Sequence, residues 1–425
     1  MYIHVVQPGD TIYTIADTYG ISPVRLVMEN DIMSPYNLII GEALVILIPS
    51  QTYVVQEGDS LESIAKAQGT DVMELLRNNP DVSDRELYTG EELVISYADE
   101  RTETTKTNGF AFPFIERQTL RRTLPYLTYL TIYSYRILPN GNLIDIDDIE
   151  VIQIAKEFGV APIMFINAPH EGEDVDTDIA HNLISDMQIK STFINNILST
   201  VRSKGYHGIN IDTPYIQPQD RESYVKLIAD ITDQLNQEGF TVTITIAPST
   251  FEVSTGIIYA GVDYTGLSQA ANDVLYQLIY AWTYPRSLPI SILPFETVTQ
   301  TMDSAIKLIS PEKYLLGISI VGYIWEFPFF AAATYANFLN YNSAMQLAED
   351  VGSPIQFNER SRSAYFQYID DDIEYMAWFK DSRVIYPFLT YLQYYGLEGI
   401  SIWNIMYFTT SIWLLINSQY LIEKV

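Results

Sequence analysis

The 425 residues contain no cysteine, which excludes a disulfide framework, a thiolate metal site and a cysteine nucleophile. Histidine is nearly absent. His4, His170, His181 and His207 stand apart with no HExxH or close pairing, so neither a histidine-held metal nor any other cofactor is expected. Positive charge is also scarce: 24 Lys and Arg face 53 Asp and Glu, a formal net charge of −29. A phosphate-tracking surface needs clustered Lys and Arg, so nucleic acid is excluded as a partner and anionic membrane surfaces are disfavoured. Long apolar runs are missing. The stretch 400–415 is interrupted by Asn404, Thr409, Thr410 and Ser411 and falls short of a membrane span. The first ten residues, MYIHVVQPGD, carry no basic n-region and no apolar h-region, so synthesis without classical export is expected.

What is present is a globular composition, 48% hydrophobic, in a chain too long for one ordinary domain. The front of the chain repeats itself. Val5-Val6-Gln7-x-Gly9-Asp10-Thr11-Ile12 recurs without a gap as Val54-Val55-Gln56-x-Gly58-Asp59-Ser60-Leu61. The same offset carries Ile15-Ala16 onto Ile64-Ala65, Asn30 onto Asn79 and Gly41 onto Gly90. Each copy reads as strand, helix, helix, strand, with Asp10 or Asp59 as the expected helix cap and Thr11 or Ser60 in the first turn.

This V-x-x-G-D-[TS]-[IL]…I-A…N…G-x-x-[IL] pattern resembles LysM, over residues 1–49 and 50–98. The resemblance implies binding of N-acetylglucosamine-containing glycans, peptidoglycan or chitin, in a groove between the first strand–helix loop and the second helix–strand loop. Carried onto this chain, the groove residues are Gly9, Asp10, Thr11, Ile12, Asn30 and Ile32 in the first module. In the second they are Gly58, Asp59, Ser60, Leu61, Asn79 and Val82.

Residues 99–108 are polar and read as a linker. Beyond them, apolar strand-like runs alternate with amphipathic helical stretches, the pattern of parallel α/β architecture. Eight strands are expected, at 109–114, 127–133, 161–167, 208–212, 241–247, 274–280, 315–321 and 399–403. They predict a (β/α)8 TIM barrel over residues 109–425. The long interval before the eighth strand contains two alternating runs around Asp370-Asp371-Asp372, a hairpin inside an α+β insertion at about 324–395.

Function in such a barrel sits at the C-terminal ends of the strands. There the segment Gly205-Tyr206-His207-Gly208-Ile209-Asn210-Ile211-Asp212-Thr213-Pro214-Tyr215 resembles family 18 glycoside hydrolases, specifically the LysM-bearing N-acetylglucosaminidases of bacterial spores. Pro125 to Leu130, Pro218 to Glu222, Ala247-Pro248, Tyr280-x-Trp282, Gly322-Tyr323 and Gly399 to Trp403 carry the likeness through the remainder of the chain. That family has D-x-x-D-x-D-x-E on its fourth strand. The last Glu is the general acid, and the Asp two before it orients the substrate's own acetamido group, which acts as nucleophile.

Laid onto this sequence, the motif positions are His207, Asn210, Asp212 and Pro214. Only Asp212 is retained, and proline has nothing to titrate. On the sixth strand the family's Tyr-Asp or Tyr-Glu is Tyr280-Ala281. The site is therefore expected to be degenerate, with no catalytic residue. The residues expected to grip sugar are Asp212, Tyr215, Tyr280, Trp282, Tyr323 and Trp403, the aromatics by stacking on pyranose rings.

These features predict a non-catalytic, spore-associated protein at the cortex, coat or cell wall, bound to peptidoglycan or a related glycan and in contact with cortex or coat proteins. Two alternatives stay open. One is an active spore-cortex N-acetylglucosaminidase with a displaced acid such as Glu171, Glu173, Asp174 or Glu326. The other is a structural or inhibitory coat protein with a vestigial cleft.

Overall fold

A computed structural model of the chain describes residues 1–167, 170–171, 174–175, 178–213, 216–247, 261–277, 295–330 and 336–425. Pro214, Tyr215, Tyr280, Ala281 and Trp282 lie outside the described residues, as does Glu173.

Each N-terminal repeat folds as βααβ. The first runs through strand Tyr2–Val5, helices Ile12–Tyr19 and Pro23–Glu29, and strand Ala43–Ile46. The second runs through strand Pro49–Val54, helices Leu61–Gln68 and Val72–Asn78, and strand Glu92–Tyr97. In each, the outer strands pair antiparallel. The expected cap is corrected by one residue. Thr11 and Ser60 are the N-caps, closing capping boxes with Thr14 and Ser63, because a hydroxyl one residue nearer the helix reaches the N3 amide. Asp10 and Asp59 instead accept the amides of Gln7 and Gln56, at 2.7 and 2.8 Å, and hold the turn before the helix.

Among the described residues, eight parallel strands close a barrel: Thr104–Ala111, Tyr129–Ile137, Ala161–Asn167, Gly208–Asp212, Thr241–Ile246, Asp273–Gln277, Tyr314–Ser319 and Gly399–Trp403. Sequential neighbours pair throughout, and Lys106 opposite Gly399 joins the eighth strand to the first. The first strand begins at Thr104, inside the segment read as linker. Asn108 is buried on the inner face, and Thr105 and Thr107 are buried on the opposite face, where Thr107 Oγ1 donates to the Tyr126 carbonyl. Thr131 Oγ1 donates to Asn108 Oδ1 at 2.8 Å, and Asn108 Nδ2 donates to Ser401 Oγ at 2.8 Å. A strand whose inner face is polar and whose chain is Thr-rich reads as a linker in one dimension.

Outside the barrel, amphipathic helices cover the strands. Met187–Lys204 buries Phe193, Ile197 and Val201, and Arg221–Asn236 buries Leu227, Ile231 and Leu235, both at helical spacing. Each such side chain contributes roughly 1.5–3 kcal/mol of apolar burial.

Between the seventh and eighth strands an antiparallel sheet, five strands among the described residues, packs against helix Tyr341–Asp350. Its hairpin, Ser363–Asp370 to Ile373–Phe379, turns through Asp371 and Asp372, both at positive φ (45° and 64°), the geometry of a type I′ turn. Helix Ser382–Tyr395, placed in the insertion by sequence, is the crossover that returns the chain to the eighth barrel strand.

The modules are docked on the barrel. Arg77 Nη1 donates to the Pro125 carbonyl at 3.1 Å, and Asn417 Nδ2 donates to Asn78 Oδ1 at 2.9 Å. From the first module, the Asp31 carboxylate accepts the Thr410 amide and hydroxyl at 2.7 and 2.6 Å. The second module shares one continuous core with the barrel, which Val45 and Leu47 of the first module also join, while the rest of the first module's core is separate.

Candidate functional site

Side chains alternate along the fourth barrel strand, so Gly208, Asn210 and Asp212 share one face and Ile209 and Ile211 the other. Asn210 is buried and accepts from Thr245 Oγ1 at 2.7 Å across the interior, which assigns the first set to the inside of the barrel. Asn210 is thus part of the internal polar lattice. His207 stands at the opposite end of the strand from the mouth, beside Tyr129, its ring pushed down in pKa by burial and by Lys106. Across a five-residue strand it is roughly 16 Å from the Asp212 end and cannot touch a ligand at the mouth.

Asp212 closes the strand at the mouth. A narrow crevice of about 20 Å³, walled by Ile137, Ile166, Tyr224 and Leu227, touches both Asp212 and Asn167. Burial in these surroundings pushes the Asp212 carboxyl up to about 7. At the ends of the third, fourth and sixth strands, buried polar atoms have no hydrogen-bond partner among the described residues: Asn167 Oδ1, Thr213 Oγ1 and Gln277 Oε1. Orphans of this kind are costly in a finished core and are suited to receiving hydroxyl or amide groups from a ligand. The sequence reading missed all three. Their position at the last residue of a strand, or just beyond it, was the available signal.

Trp403 ends the eighth strand and retains partial exposure. Its ring packs 5.3 Å from Phe110, 5.3 Å from Tyr133 and 6.1 Å from Phe112. Phe112 in turn stacks on Phe114 at 5.3 Å, and Phe114 is 76% exposed. An aromatic surface therefore runs outward from Trp403 over Phe112 and Phe114, which the sequence alone marks only as strand residues. Tyr323, by contrast, is only 6% exposed, packs 5.7 Å from the fully buried Trp325, and has its hydroxyl pushed up to about 12 by burial. Its expected stacking role is corrected: it is a buried residue of the insertion sheet, paired opposite Trp378. Glu326 lies on that sheet, exposed, opposite Tyr375. Glu171 pairs with Asp174 in a two-residue ladder.

In the LysM-like modules, the glycines at the first turn hold positive φ (95° at Gly9, 86° at Gly58), as the turn requires. The second lip differs from expectation. Asn30 Nδ2 donates to the carbonyls of Leu26 and Val45 at 3.0 and 2.9 Å, and its Oδ1 accepts the Val45 amide. Asn79 repeats this with Leu75 and Val94. Both amides are thus fully engaged inside their modules, and Ile12, Ile32 and Val82 are buried core residues. Their expected side-chain contacts with glycan are corrected: these side chains are packed inside their modules. Gly9, Asp10 and Thr11, and Gly58, Asp59, Ser60 and Leu61, remain at the accessible turn.

Comparison with known proteins agrees with this architecture. The family model "Glycosyl hydrolases family 18" matches residues 172–407, and "LysM domain" matches residues 4–47 and 53–96. The chain is 34% identical over 431 residues to the cortical fragment-lytic enzyme of Bacillus subtilis (strain 168), covering 100% of this chain and 99% of that one. It is 31% identical over 428 residues to the cortical fragment-lytic enzyme of Bacillus cereus, covering 99% of each. The crystal structure of the Bacillus cereus spore cortex-lytic enzyme SleL superposes with a TM-score of 0.82 at 26% identity, over 100% of this chain and 98% of that one. The chain belongs to glycosyl hydrolase family 18 and carries two LysM domains ahead of its barrel.

Proposed function

We propose that this chain engages N-acetylglucosamine-containing glycan of spore cortical peptidoglycan through its LysM modules and barrel mouth, and that it holds this glycan without cleaving it by the acid route of its family. The observation that carries the non-cleaving part is Pro214, two residues beyond Asp212, where the family's proton donor would stand. A glycosidic oxygen needs a proton as it leaves, and losing a positioned general acid costs about 10²–10⁴ in rate. The grip is supported by the aromatic run from Trp403 to Phe114 and by the orphan polar atoms at the mouth.

A second reading is hydrolysis, and the relatives weigh in its favour: the two full-length relatives above are named cortical fragment-lytic enzymes. In that reading the displaced acid is Asp212 itself, which stands at the barrel mouth, rather than a loop carboxylate such as Glu171 or Glu326. A carboxyl titrating near 7 is protonated often enough to donate at neutral pH.

One experiment separates the two. Cortical fragments are incubated with the purified chain and with its Pro214→Glu and Asp212→Asn variants, and released ends are analysed. Silence from the unmodified chain, with turnover gained on Pro214→Glu, supports the binding protein. Release by the unmodified chain that falls at least about 10²-fold in Asp212→Asn establishes the hydrolase.

A further inference from the structure

Away from the barrel mouth, the two modules and the barrel enclose a cleft of about 320 Å³. It lies within the size range of small-molecule sites. One wall is the second helix of the first module, with Arg25, Met28 and Glu29; the other is the closing half of the second module, with Arg85 and Glu92; Arg122 and Thr410 of the barrel form the floor. None of the first-turn groove residues, 9–12 or 58–61, lines it; Asn79 of the expected second lip does, with its amide held by Leu75 and Val94 of its own module.

The cleft is pre-assembled. Arg25 reaches Glu29 at 3.1 Å and Glu92 of the other module at 3.5 Å. Tyr97, also of the second module, donates to Glu29 Oε1 at 2.8 Å. The Asp31–Thr410 hydrogen bonds fix the floor against the first module. A rigid composite cleft of this kind loses little ordering entropy on binding.

Two lining groups are incompletely used. Glu29, 5% exposed, has Oε2 buried without a partner, and Arg122 has Nε buried without a partner while its guanidinium lies 4.3 Å over the Phe408 ring. Among the described residues the lining carries three guanidinium groups (Arg25, Arg85, Arg122) and four carboxyl groups (Glu29, Asp81, Glu91, Glu92), with Val24 and Met28 exposed at the rim. Among the described residues no aromatic side chain lines it, so they offer no platform for a pyranose ring. Alternating cations and anions around a partly apolar rim match a ligand that itself carries both carboxylate and ammonium groups.

We propose that this three-part cleft binds a short amphoteric peptide, such as the stem peptide attached to peptidoglycan glycan. The choice of a peptidoglycan stem as the source rests on the function proposed above; the cleft itself does not. Unpartnered Arg122 Nε would donate to a ligand carboxylate, and Glu29 Oε2 would accept from a ligand N–H.

The test is calorimetric titration of the full chain with the synthetic tripeptide L-Ala-γ-D-Glu-meso-diaminopimelate and, separately, with tetra-N-acetylchitotetraose. The expected result is one tripeptide per chain. Arg122→Gln, and Met28→Glu at the exposed rim, each weaken it about 10-fold or more while leaving the tetrasaccharide affinity unchanged. Met28 is 47% exposed at the rim, so that variant changes the cleft at its surface rather than in a buried core position. Absence of tripeptide binding, or equal affinity in both variants, overturns the proposal. So does tetrasaccharide binding that Met28→Glu weakens, which makes the cleft a glycan subsite. Tripeptide binding without tetrasaccharide binding upholds the cleft and removes the glycan reading instead.

Discussion

At the scale of single residues, equivalent positions in the two repeats are equal in backbone and unequal in surroundings. Gly41 and Gly90 hold φ of 85° and 92°, so either one replaced by alanine meets the left-handed penalty of about 1–2 kcal/mol. A Cβ on Gly90 meets nothing within 4 Å, whereas on Gly41 it lies 1.9 Å from the Ile355 carbonyl oxygen in the barrel insertion. Gly41→Ala is therefore expected to destabilise by at least about 2 kcal/mol more than Gly90→Ala, read by denaturant melts of the two variants. Equal losses would mean that the first module is not seated against the insertion in solution. The repeat made both glycines legible as turn residues. The Ile355 contact, more than three hundred residues away, had no trace in the local pattern.

At the scale of elements, capping was readable in kind and misplaced by one residue. The Gly-Asp-Thr/Ser signature announces a helix start, but which oxygen caps it depends on reach: Thr11 and Ser60 meet the N3 amide, and the aspartates turn back to Gln7 and Gln56. The chain's final helix, Thr410–Gln419, shows the opposite case. Its own N-cap, Thr409, makes no side-chain cap bond, and the Thr410 amide is satisfied by Asp31 of the first module. Asp31→Ala is expected to lower stability by about 1–2 kcal/mol through the lost cap. It should also speed proteolytic release of residues 1–49, followed by limited digestion and mass spectrometry. A variant that melts lower but resists release would confine Asp31 to a capping role.

At the scale of the whole molecule, burial pushes four carboxyl groups, Glu29, Glu42, Asp212 and Glu398, up to about 7. A carboxyl with a raised folded pKa binds its proton in the native state between its ordinary value and about 7, so its stabilising contribution is present in acid and lost as pH rises through that window. Carboxylates held low by arginine or lysine, such as Glu74 and Asp145, oppose this on the acid side. Glu42, near Glu349 and Asp381, isolates one contribution. Glu42→Gln is expected to match the unmodified chain at pH 4 and to exceed its stability at pH 8 by up to about 3 kcal/mol, measured by denaturant unfolding at both values. A variant no more stable at pH 8 would rule out a strained buried carboxylate.

The same scale divides what the chain's order determines from what its folding decides. The repeat, the strand–helix alternation and the Asp212-Thr213-Pro214 departure are local patterns. They set the module count and the barrel and put Pro214 two residues beyond Asp212, because period and residue chemistry are properties of neighbours in sequence. The partnering of Asn30 and Asn79, the burial of Tyr323, the start of the barrel at Thr104 and the cleft between modules and barrel depend on which distant surfaces meet. Burial, hydrogen-bond satisfaction and pKa are properties of neighbours in space, and only the tertiary structure assigns those.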